Sequence, residues 1–262
     1  MKCYASALGD CSDKQSKEHY TSKGLFTSEV ITIAGQNFLN GQHKELPLKA
    51  LGLKILCKRH NEILSTLDNV GIDFFRSISK AHQHQLEIAK LSRGNLWGKK
   101  TFSINAVALE QWMVKMAVGV LFENPNGFWH TGNLPSITPP VEIIEAIFGL
   151  DRLKYPMGLY SINAKGDINK DEERVDIQTL SHSETGGYVG CMINLRNVHF
   201  LMWLSNEKLD ESNFTSPTGA VFGPGGNEPG YHIAEFRYTT GGRLVGILNL
   251  DWSQTPIQSI AL

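Results

Sequence analysis

The sequence has few cysteines, no long apolar run and no overall excess of either charge. Its 262 residues include four cysteines, and 41% are hydrophobic and 19% charged, which excludes a disordered or collagen-like chain. No apolar run approaches the roughly 18 residues of a membrane-spanning helix, and the N-terminus lacks the apolar stretch of a secretion signal. We therefore expect a cytoplasmic protein without membrane contact, in which clustered cysteines bind metal more often than they form disulfides.

The balanced total hides a difference between the two parts of the chain. Residues 1–100 hold 15 basic and 9 acidic side chains, whereas residues 101–262 hold 10 and 17, and the two parts sum to the formal charge of -1. A basic N-terminal part favours contact with a polyanion, because Lys and Arg replace counterions at phosphates. Lysines scattered over a solvated surface give the same sum, so that alternative stays open.

Periodicity and turn signals predict helices and strands in both parts. Residues 1–26 are polar and predict a loop. Two strands are expected at 29–33 and 48–56, followed by a helix from about Arg59 to Ile78 that continues towards Leu91. After a connector at 93–100, Asn105 is placed to cap a second helix, and Pro139-Pro140 precedes a third. Five strands are expected later: 175–180, 188–194, 199–204, 231–238 and 244–250, with a Gly/Pro-rich loop at 217–230.

Four residues in the N-terminal part are candidate zinc ligands. Cys3 and Cys11 form a widely spaced pair, and Cys57 and His60 form a compact C-x-x-H pair at the predicted start of the first helix. Three thiolates and one imidazole suit a tetrahedral structural zinc site. The alternative is three buried thiols and an ordinary histidine, but the polar neighbours of these residues favour zinc. Such a site would tie the N-terminal loop to the helix.

These residues belong to a longer pattern with catalytic side chains. Ser16-Lys17-Glu18-His19-Tyr20 is followed by Leu56-Cys57-Lys58-Arg59-His60-Asn61 and then by Leu64-Ser65-x-Leu67-Asp68. The pattern resembles the HNH endonuclease family, whose zinc-clasped ββα-metal nuclease domain also occurs in uncharacterised bacterial HNH-like proteins. The resemblance covers roughly the first 80 to 95 residues. It implies a strand, turn, strand and helix, which the expected elements over 28–80 supply.

The resemblance implies a role for each matching residue. His19 corresponds to the general base that deprotonates water for attack on a phosphodiester, and Glu18 to a carboxylate ligand of a catalytic divalent ion. Asn61 matches the last position of the pattern and would complete the shell of that ion. These hard oxygen ligands favour Mg²⁺ or Mn²⁺, and the ion would stabilise the charge on the leaving oxygen.

The sequence departs from the family pattern at its middle position. The middle asparagine would fall at Gly52, which has no side chain to orient the base, so Asn37 or Asn40 substitutes for it, the site is weakened, or the domain only binds. Alternatives also remain for the other residues. His19 alone reads equally as a surface histidine before a turn, and Asn61 as a helix-start residue bonded to its own backbone.

Further polar residues are candidates for substrate contact. Ser65 and Asp68 lie on the helical face of Asn61 and are candidates to reach the ion or a phosphate, although Asp68 also suits anchoring a loop or pairing with a lysine. Candidate phosphate contacts are Lys17, Lys23, Lys54, Lys58 and Arg59, each of which also reads as a solvated surface charge.

We therefore predict an α+β protein with two domains. Residues 1–93 form an HNH-like zinc-containing ββα-metal domain, and residues 101–262 form an α+β domain with a mainly antiparallel sheet, for specificity, regulation or dimerisation. The predicted function is divalent-metal-dependent hydrolysis of DNA, with RNA open as substrate, and by analogy a part in restriction or phage defence. The alternative is a non-catalytic zinc module that binds nucleic acid or a protein partner.

Overall fold

The chain folds into an α+β structure, as the sequence predicts. A computed structural model describes residues 3–33, 44–91, 98–123, 127–130, 135–161, 165–166, 168, 175–207, 214–215, 235–240 and 243–257. Within these ranges it has three α-helices and both mixed and antiparallel sheets. None of the helices in these ranges combines the length and the apolar character needed to cross a membrane.

The N-terminal part contains two separate strand pairs and a long helix. Strand β1 (Gln15–His19) pairs antiparallel with β4 (Gly52–Cys57), whereas β2 (Val30–Ile33) pairs with β3 (Lys44–Pro47). The prediction that residues 1–26 form only a loop is therefore wrong, because β1 lies within them. Polar residues form this strand since it gains its hydrogen bonds and packing from β4 rather than from an apolar pattern of its own.

Helix α1 (Lys58–Ala89) follows β4 directly, so the order β1, β4, α1 is strand, strand, helix. The helix begins one residue before the predicted start and continues past Ile78 to Ala89, just short of Leu91. Its apolar residues recur at helical spacing, and the buried ones include Leu64, Leu67, Phe74 and Ile78. The sequence prediction for this helix is confirmed.

Helix α2 (Ala106–Glu123) runs through the centre of the protein. It follows strand β5 (Lys100–Asn105), and the Ala108 backbone N–H donates to Asn105 Oδ1 at 3.0 Å, which confirms the predicted cap. Every residue from 106 to 121 is buried. The helix contacts α1, α3 (Val141–Phe148) and strands of both larger sheets, so it has no solvent-facing side.

Two larger sheets enclose this helix. One has the order β13-β10-β11-β12-β8 with β6 and β7 attached, and its pairs are antiparallel except for β6 with β11. The other is mixed and has the order β5-β15-β14-β9. Their strands are β6 (Trp129–His130), β7 (Pro135–Ser136), β8 (Gly158–Ser161), β9 (Lys165–Gly166), β10 (Val175–His182), β11 (Tyr188–Leu195), β12 (Val198–Trp203), β13 (Phe214–Thr215), β14 (Glu235–Thr240) and β15 (Arg243–Asp251).

Four of the five predicted C-terminal strands are found, at β10, β11, β12 and β15, and the fifth is found in part as β14. Residues 231–234 and the predicted loop at 217–230 lie outside the described residues. The third predicted helix, after Pro139-Pro140, is confirmed as α3.

The largest hydrophobic cluster among the described residues joins the two parts of the chain. Its buried residues run from Cys3 and Tyr4 through α1 to Leu248 and Leu250 in β15. The boundary at 93–101 stays a prediction, and most of the connector lies outside the described residues. The shared core nevertheless means that the N-terminal strands, α1 and α2 pack as neighbours.

Candidate metal centre and the histidine strand beside it

The four predicted zinc ligands lie together. The sulfurs of Cys3, Cys11 and Cys57 and one ring nitrogen of His60 all lie within 4.8 Å of one another. His60 Nδ1 lies 3.4 Å from Cys3 Sγ, 3.6 Å from Cys11 Sγ and 3.2 Å from Cys57 Sγ. The cysteines are free thiols rather than disulfides. This cluster can therefore hold a metal ion such as zinc.

The spacing of the ligand atoms agrees with tetrahedral coordination. Zinc bonds of about 2.3 Å to sulfur and 2.0 Å to nitrogen, at the tetrahedral angle, place sulfur and nitrogen about 3.5 Å apart. All three observed sulfur–nitrogen distances are within a few tenths of an ångström of that value. The donor set and its geometry both fit zinc.

Local structure explains why these ligands converge. Cys57 is the N-cap of α1, and its sulfur accepts a hydrogen bond from the His60 backbone N–H at 3.5 Å. Cys3 precedes a short 3₁₀ helix at Tyr4–Leu8, which packs against α3. The His60 ring meets Phe148 of α3 edge-on, with ring centroids 5.3 Å apart. The cluster is thus built into the core, although its surrounding sequence is polar.

The protonation tendencies of the ligands differ with their surroundings. Burial raises the pKa of Cys57, but backbone N–H donors from His60 and Ser12 outweigh it and lower the pKa overall. Burial raises the pKa of Cys11 to about 12. Burial also lowers the pKa of His60, with a smaller contribution from Arg59, which keeps the imidazole neutral and able to ligate a metal.

His19 lies at the end of β1, opposite the first residue of β4. Its register partner is Gly52, and the β1–β4 pair has a bulge between Ser16 and Glu18. A Cβ at Gly52 would lie only 3.1 Å from His19 Nε2, so glycine provides room for the imidazole ring. The substitutes considered for the missing asparagine, Asn37 and Asn40, lie outside the described residues.

The His19 imidazole has the properties of a proton acceptor. Its Nε2 is buried without a hydrogen-bond partner among the described residues. Burial lowers its pKa, with further lowering by Lys23, so the ring is neutral near pH 7. A neutral imidazole with an unpaired nitrogen can accept a proton or a hydrogen bond from a bound molecule.

Asn61 bridges the start of α1 to β1. Its Nδ2 donates to Ser16 Oγ at 3.0 Å and to the Lys17 carbonyl at 3.3 Å. The side chain therefore bonds to β1 rather than to its own helix backbone. Its Oδ1 is buried and unpaired within the described part of the chain, which leaves one hard oxygen for a ligand.

Glu18 and Asp68 bind a lysine instead of facing an open site. Lys115 Nζ of α2 lies 2.7 Å from Glu18 Oε1 and 2.7 Å from Asp68 Oδ1. Burial raises the pKa of Glu18 to about 7, against the opposing effect of Lys115. Burial alone lowers the pKa of Lys115, but Glu18 and Asp68 outweigh it and raise that pKa. Asp68 thus pairs with a lysine, and through Ser22 Oγ at 2.6 Å it also anchors a loop.

The remaining sequence candidates lie at the surface. Ser65 is exposed, and its Oγ donates to the Glu62 carbonyl within α1. Its hydroxyl therefore bonds to its own helix. The five predicted phosphate contacts are all exposed. Arg59 pairs with Asp10, Lys58 with Glu62 at 3.5 Å, and Lys17 Nζ donates to the Lys49 carbonyl. Lys23 is exposed in a short 3₁₀ helix at Lys23–Leu25, and Lys54 is exposed in β4.

A second cluster, which the sequence interpretation missed, contains two histidines and a glutamate. His130 Nε2 lies 2.9 Å from Glu207 Oε1, His182 Nε2 lies 3.2 Å from Glu207 Oε2, and the two rings stack at 4.2 Å. The Nδ1 of His182 accepts backbone N–H groups of Glu184 and Thr185. That fixes the proton of His182 on Nε2, which is the tautomer that donates to a carboxylate rather than ligating a metal.

No local sequence signal identifies this second cluster, since its members come from three distant segments. Lys115 gives a stronger signal: it stands among apolar residues in α2, and a charged residue in a buried helix requires a partner.

Comparison with known proteins gives no match. No family model, curated protein or solved structure matches this chain. The function is therefore inferred from the site itself.

Proposed function

We propose that the protein is an endonuclease of the HNH type that hydrolyses phosphodiester bonds in DNA, with RNA as the other candidate substrate. The observation that carries the proposal is the joining of β1 to α1. Glu18-His19 ends the first strand, Asn61 lies in the first turn of the helix, and the four-residue metal cluster fixes the two segments together. The resemblance supports the proposal through these same residues, although the first strand of this unit is β1 and not the strand expected at 29–33, which pairs with β3.

In this proposal His19 is the catalytic residue. Its unpaired Nε2 accepts a proton from water, and the resulting hydroxide attacks the phosphorus while the 3′-oxygen leaves. The lowered pKa of His19 keeps the ring unprotonated at neutral pH, which is the state a general base needs. The exposed Lys23 and Lys54 are candidate contacts to the phosphate backbone.

The resemblance also implies a catalytic Mg²⁺ or Mn²⁺ held by Glu18 and Asn61. Asn61 fits, because its Oδ1 is buried and unpaired within the described residues. Glu18 does not fit, because the Lys115 ammonium already contacts its carboxylate at 2.7 Å and would repel a divalent cation. The pair as a whole does not fit such an ion in this arrangement, so no catalytic step is assigned to it.

Nicking of supercoiled plasmid tests the proposal. Wild type is expected to convert plasmid to the nicked form, while His19→Ala with unchanged zinc content should lose at least about 100-fold of the rate, the usual contribution of a general base. His199→Ala, a half-buried histidine on β12, is the matched control and should cut like wild type. Reactions with Mg²⁺, with Mn²⁺ and with chelator define the ion requirement. Parallel reactions on single-stranded RNA test the other candidate substrate. Equal cutting by wild type and His19→Ala, or no cutting under any condition, refutes the proposal.

The Glu18–Lys115 pair and Gly52 favour a second candidate, a non-catalytic zinc module that binds nucleic acid. Under this alternative, wild type binds labelled DNA without cutting it. A Lys23→Ala/Lys54→Ala variant should then bind more weakly and with a smaller dependence on salt. Lys80→Ala, which removes an exposed lysine from the far part of α1, is the control. If no binding to either nucleic acid is seen, a protein partner is the remaining form of this alternative.

A further inference from the structure

A lysine ammonium is buried between two carboxylates next to the histidine strand. The Lys115 side chain is only 2% exposed, that of Glu18 7% and that of Asp68 36%. Both carboxylates approach Nζ to 2.7 Å. A charge this deep in the core is stable only when its partners are close and well placed.

The hydrogen bonds around Asp68 hold this arrangement from a second side. Trp112 Nε1 donates to Ser22 Oγ at 2.9 Å, and Ser22 Oγ donates to Asp68 Oδ1 at 2.6 Å. Trp112 and Lys115 are three residues apart on one face of α2, so that face supplies both the cation and the outer support. The position is therefore defined by groups from β1, α1, α2 and the Ser22 loop.

The geometry is that of a cation-binding position with an organic cation in it. Two carboxylates from different elements converge on the Lys115 ammonium, and with both of them ionised the trio has a formal charge of -1. A hard divalent ion prefers such oxygens at about 2.1 Å, a few tenths of an ångström closer than the ammonium. The charges of Lys115 and Asp68 both affect the pKa of His19: Lys115 lowers it and Asp68 raises it. The lysine position and the histidine site therefore interact electrostatically.

We propose that the Lys115 ammonium occupies a cation position formed by Glu18 and Asp68 and excludes a divalent ion from it. This inference rests on the proposed function only where it takes the excluded ion to be a catalytic one. The arrangement of Lys115, Glu18 and Asp68 does not depend on that function. A divalent ion cannot share the position, because two cations within 3 Å in the interior repel each other strongly. The competing explanation is an ordinary buried salt bridge that only links α2 to β1.

Removal of the ammonium distinguishes the two explanations. Lys115→Met keeps most of the side-chain volume and leaves two carboxylates without their cation. We expect zinc-saturated Lys115→Met to bind one Mn²⁺ per chain at least about tenfold more tightly than wild type, measured by the loss of the free Mn²⁺ signal in electron paramagnetic resonance. The thermal midpoint of the variant should rise on addition of Mn²⁺, whereas that of wild type should not. Lys115→Met/Glu18→Gln should lose the added binding, and the control Lys80→Met should behave as wild type.

A measurement on wild type covers the case in which Lys115→Met does not fold. The Trp112 indole N–H reports on the position through Ser22 and Asp68. Mn²⁺ added to zinc-saturated wild type should broaden its nuclear magnetic resonance signal no more than that of Trp203 in β12. Selective broadening of the Trp112 signal, or tight Mn²⁺ binding by wild type that Glu18→Gln abolishes, overturns the proposal. So does a folded Lys115→Met variant that gains no Mn²⁺ binding.

These readouts are independent of cleavage. Gain of Mn²⁺ by Lys115→Met in a protein that never cuts nucleic acid would support this inference and refute the nuclease proposal. Mg²⁺-dependent cutting by wild type, together with Mn²⁺ binding by wild type that requires Glu18, would support the nuclease proposal and refute this inference.

Discussion

The metal cluster gives the most quantitative prediction. Cys11 is its exposed ligand, whereas Cys3, Cys57 and His60 are buried, so Cys11→Ser removes a ligand with little disturbance of the core. We expect wild type to contain one zinc per chain and Cys11→Ser to lose tight zinc binding, because three ligands hold zinc far less firmly than four.

The size of the effect follows from the length of chain that the metal closes. Cys11 and His60 are 49 residues apart. Cross-linking a loop of that length lowers the entropy of the unfolded chain by an amount worth about 4 kcal/mol at 25 °C. The usual free energy of unfolding of a domain is about 5–15 kcal/mol, so loss of the metal should remove a large share of the stability.

Urea unfolding with and without chelator, combined with metal analysis, measures this loss. Chelation of wild type and the Cys11→Ser substitution should both lower the free energy of unfolding by roughly 4 kcal/mol, and chelator should have little further effect on the variant. Cys191→Ala removes a buried thiol outside the cluster and should keep both the zinc and the chelator response. Purified wild type that contains no metal, or an unfolding curve that chelator leaves unchanged, would refute a stabilising zinc site.

Three further predictions concern packing and pH. Gly71→Ala should destabilise the protein by about 1–3 kcal/mol despite alanine's helix preference, because its Cβ would lie 2.2 Å from the Trp112 ring. Burial raises the pKa of Glu110 to about 7, so the folded state keeps a proton that the unfolded state releases, and wild type should lose up to about 3 kcal/mol relative to Glu110→Gln as pH rises from 4.5 to 8. Hydrogen bonding from His130 lowers the pKa of Glu207, so its stabilisation should be present at pH 7 and fall as acid protonates it; Glu207→Gln should flatten that acid-side dependence.

Thermal or urea unfolding across pH measures all three effects. A Gly71→Ala variant as stable as wild type would contradict the close approach of α1 to α2. Parallel pH profiles for wild type and Glu110→Gln would mean that the Glu110 carboxyl titrates as in the unfolded chain. Parallel profiles for wild type and Glu207→Gln would mean that the contacts with His130 and His182 do not stabilise the ionised Glu207 carboxylate.

The parts of the fold with a local pattern could be predicted from the sequence. Helix α1 follows from its apolar spacing, α2 from Asn105 and its apolar run, and the cluster that can hold a metal ion from one compact pair and one wide pair. Strand β1 could not be predicted in this way. Its sequence, Gln15-Ser16-Lys17-Glu18-His19, has no alternation of apolar and polar residues. The strand is held in place instead by its pairing with β4 and by the nearby cluster.

Contacts between distant residues account for the rest of what was missed. The resemblance predicts Glu18 as a ligand of a catalytic ion, but its partner Lys115 lies in a helix far along the chain. Nothing near Glu18 in the sequence indicates the pairing. The His130–Glu207–His182 cluster has the same origin, since the ends of β6 and β10 and the segment after β12 bring its members together.

Contacts near both ends of β1 connect the cluster, the lysine and the histidine. Before the strand, Cys11 belongs to the cluster suited to zinc, and at its other end Glu18 contacts the Lys115 ammonium. A strand without an apolar face gains little from the hydrophobic effect, so these two contacts are expected to fix its position more than its packing does. His19 follows Glu18 directly, and its ring packs closely against Gly52, where a Cβ would lie 3.1 Å from Nε2. Removing the ammonium, or a metal held by the cluster, should therefore displace the imidazole, so the position of His19 depends on both parts of the chain rather than on the first 93 residues alone.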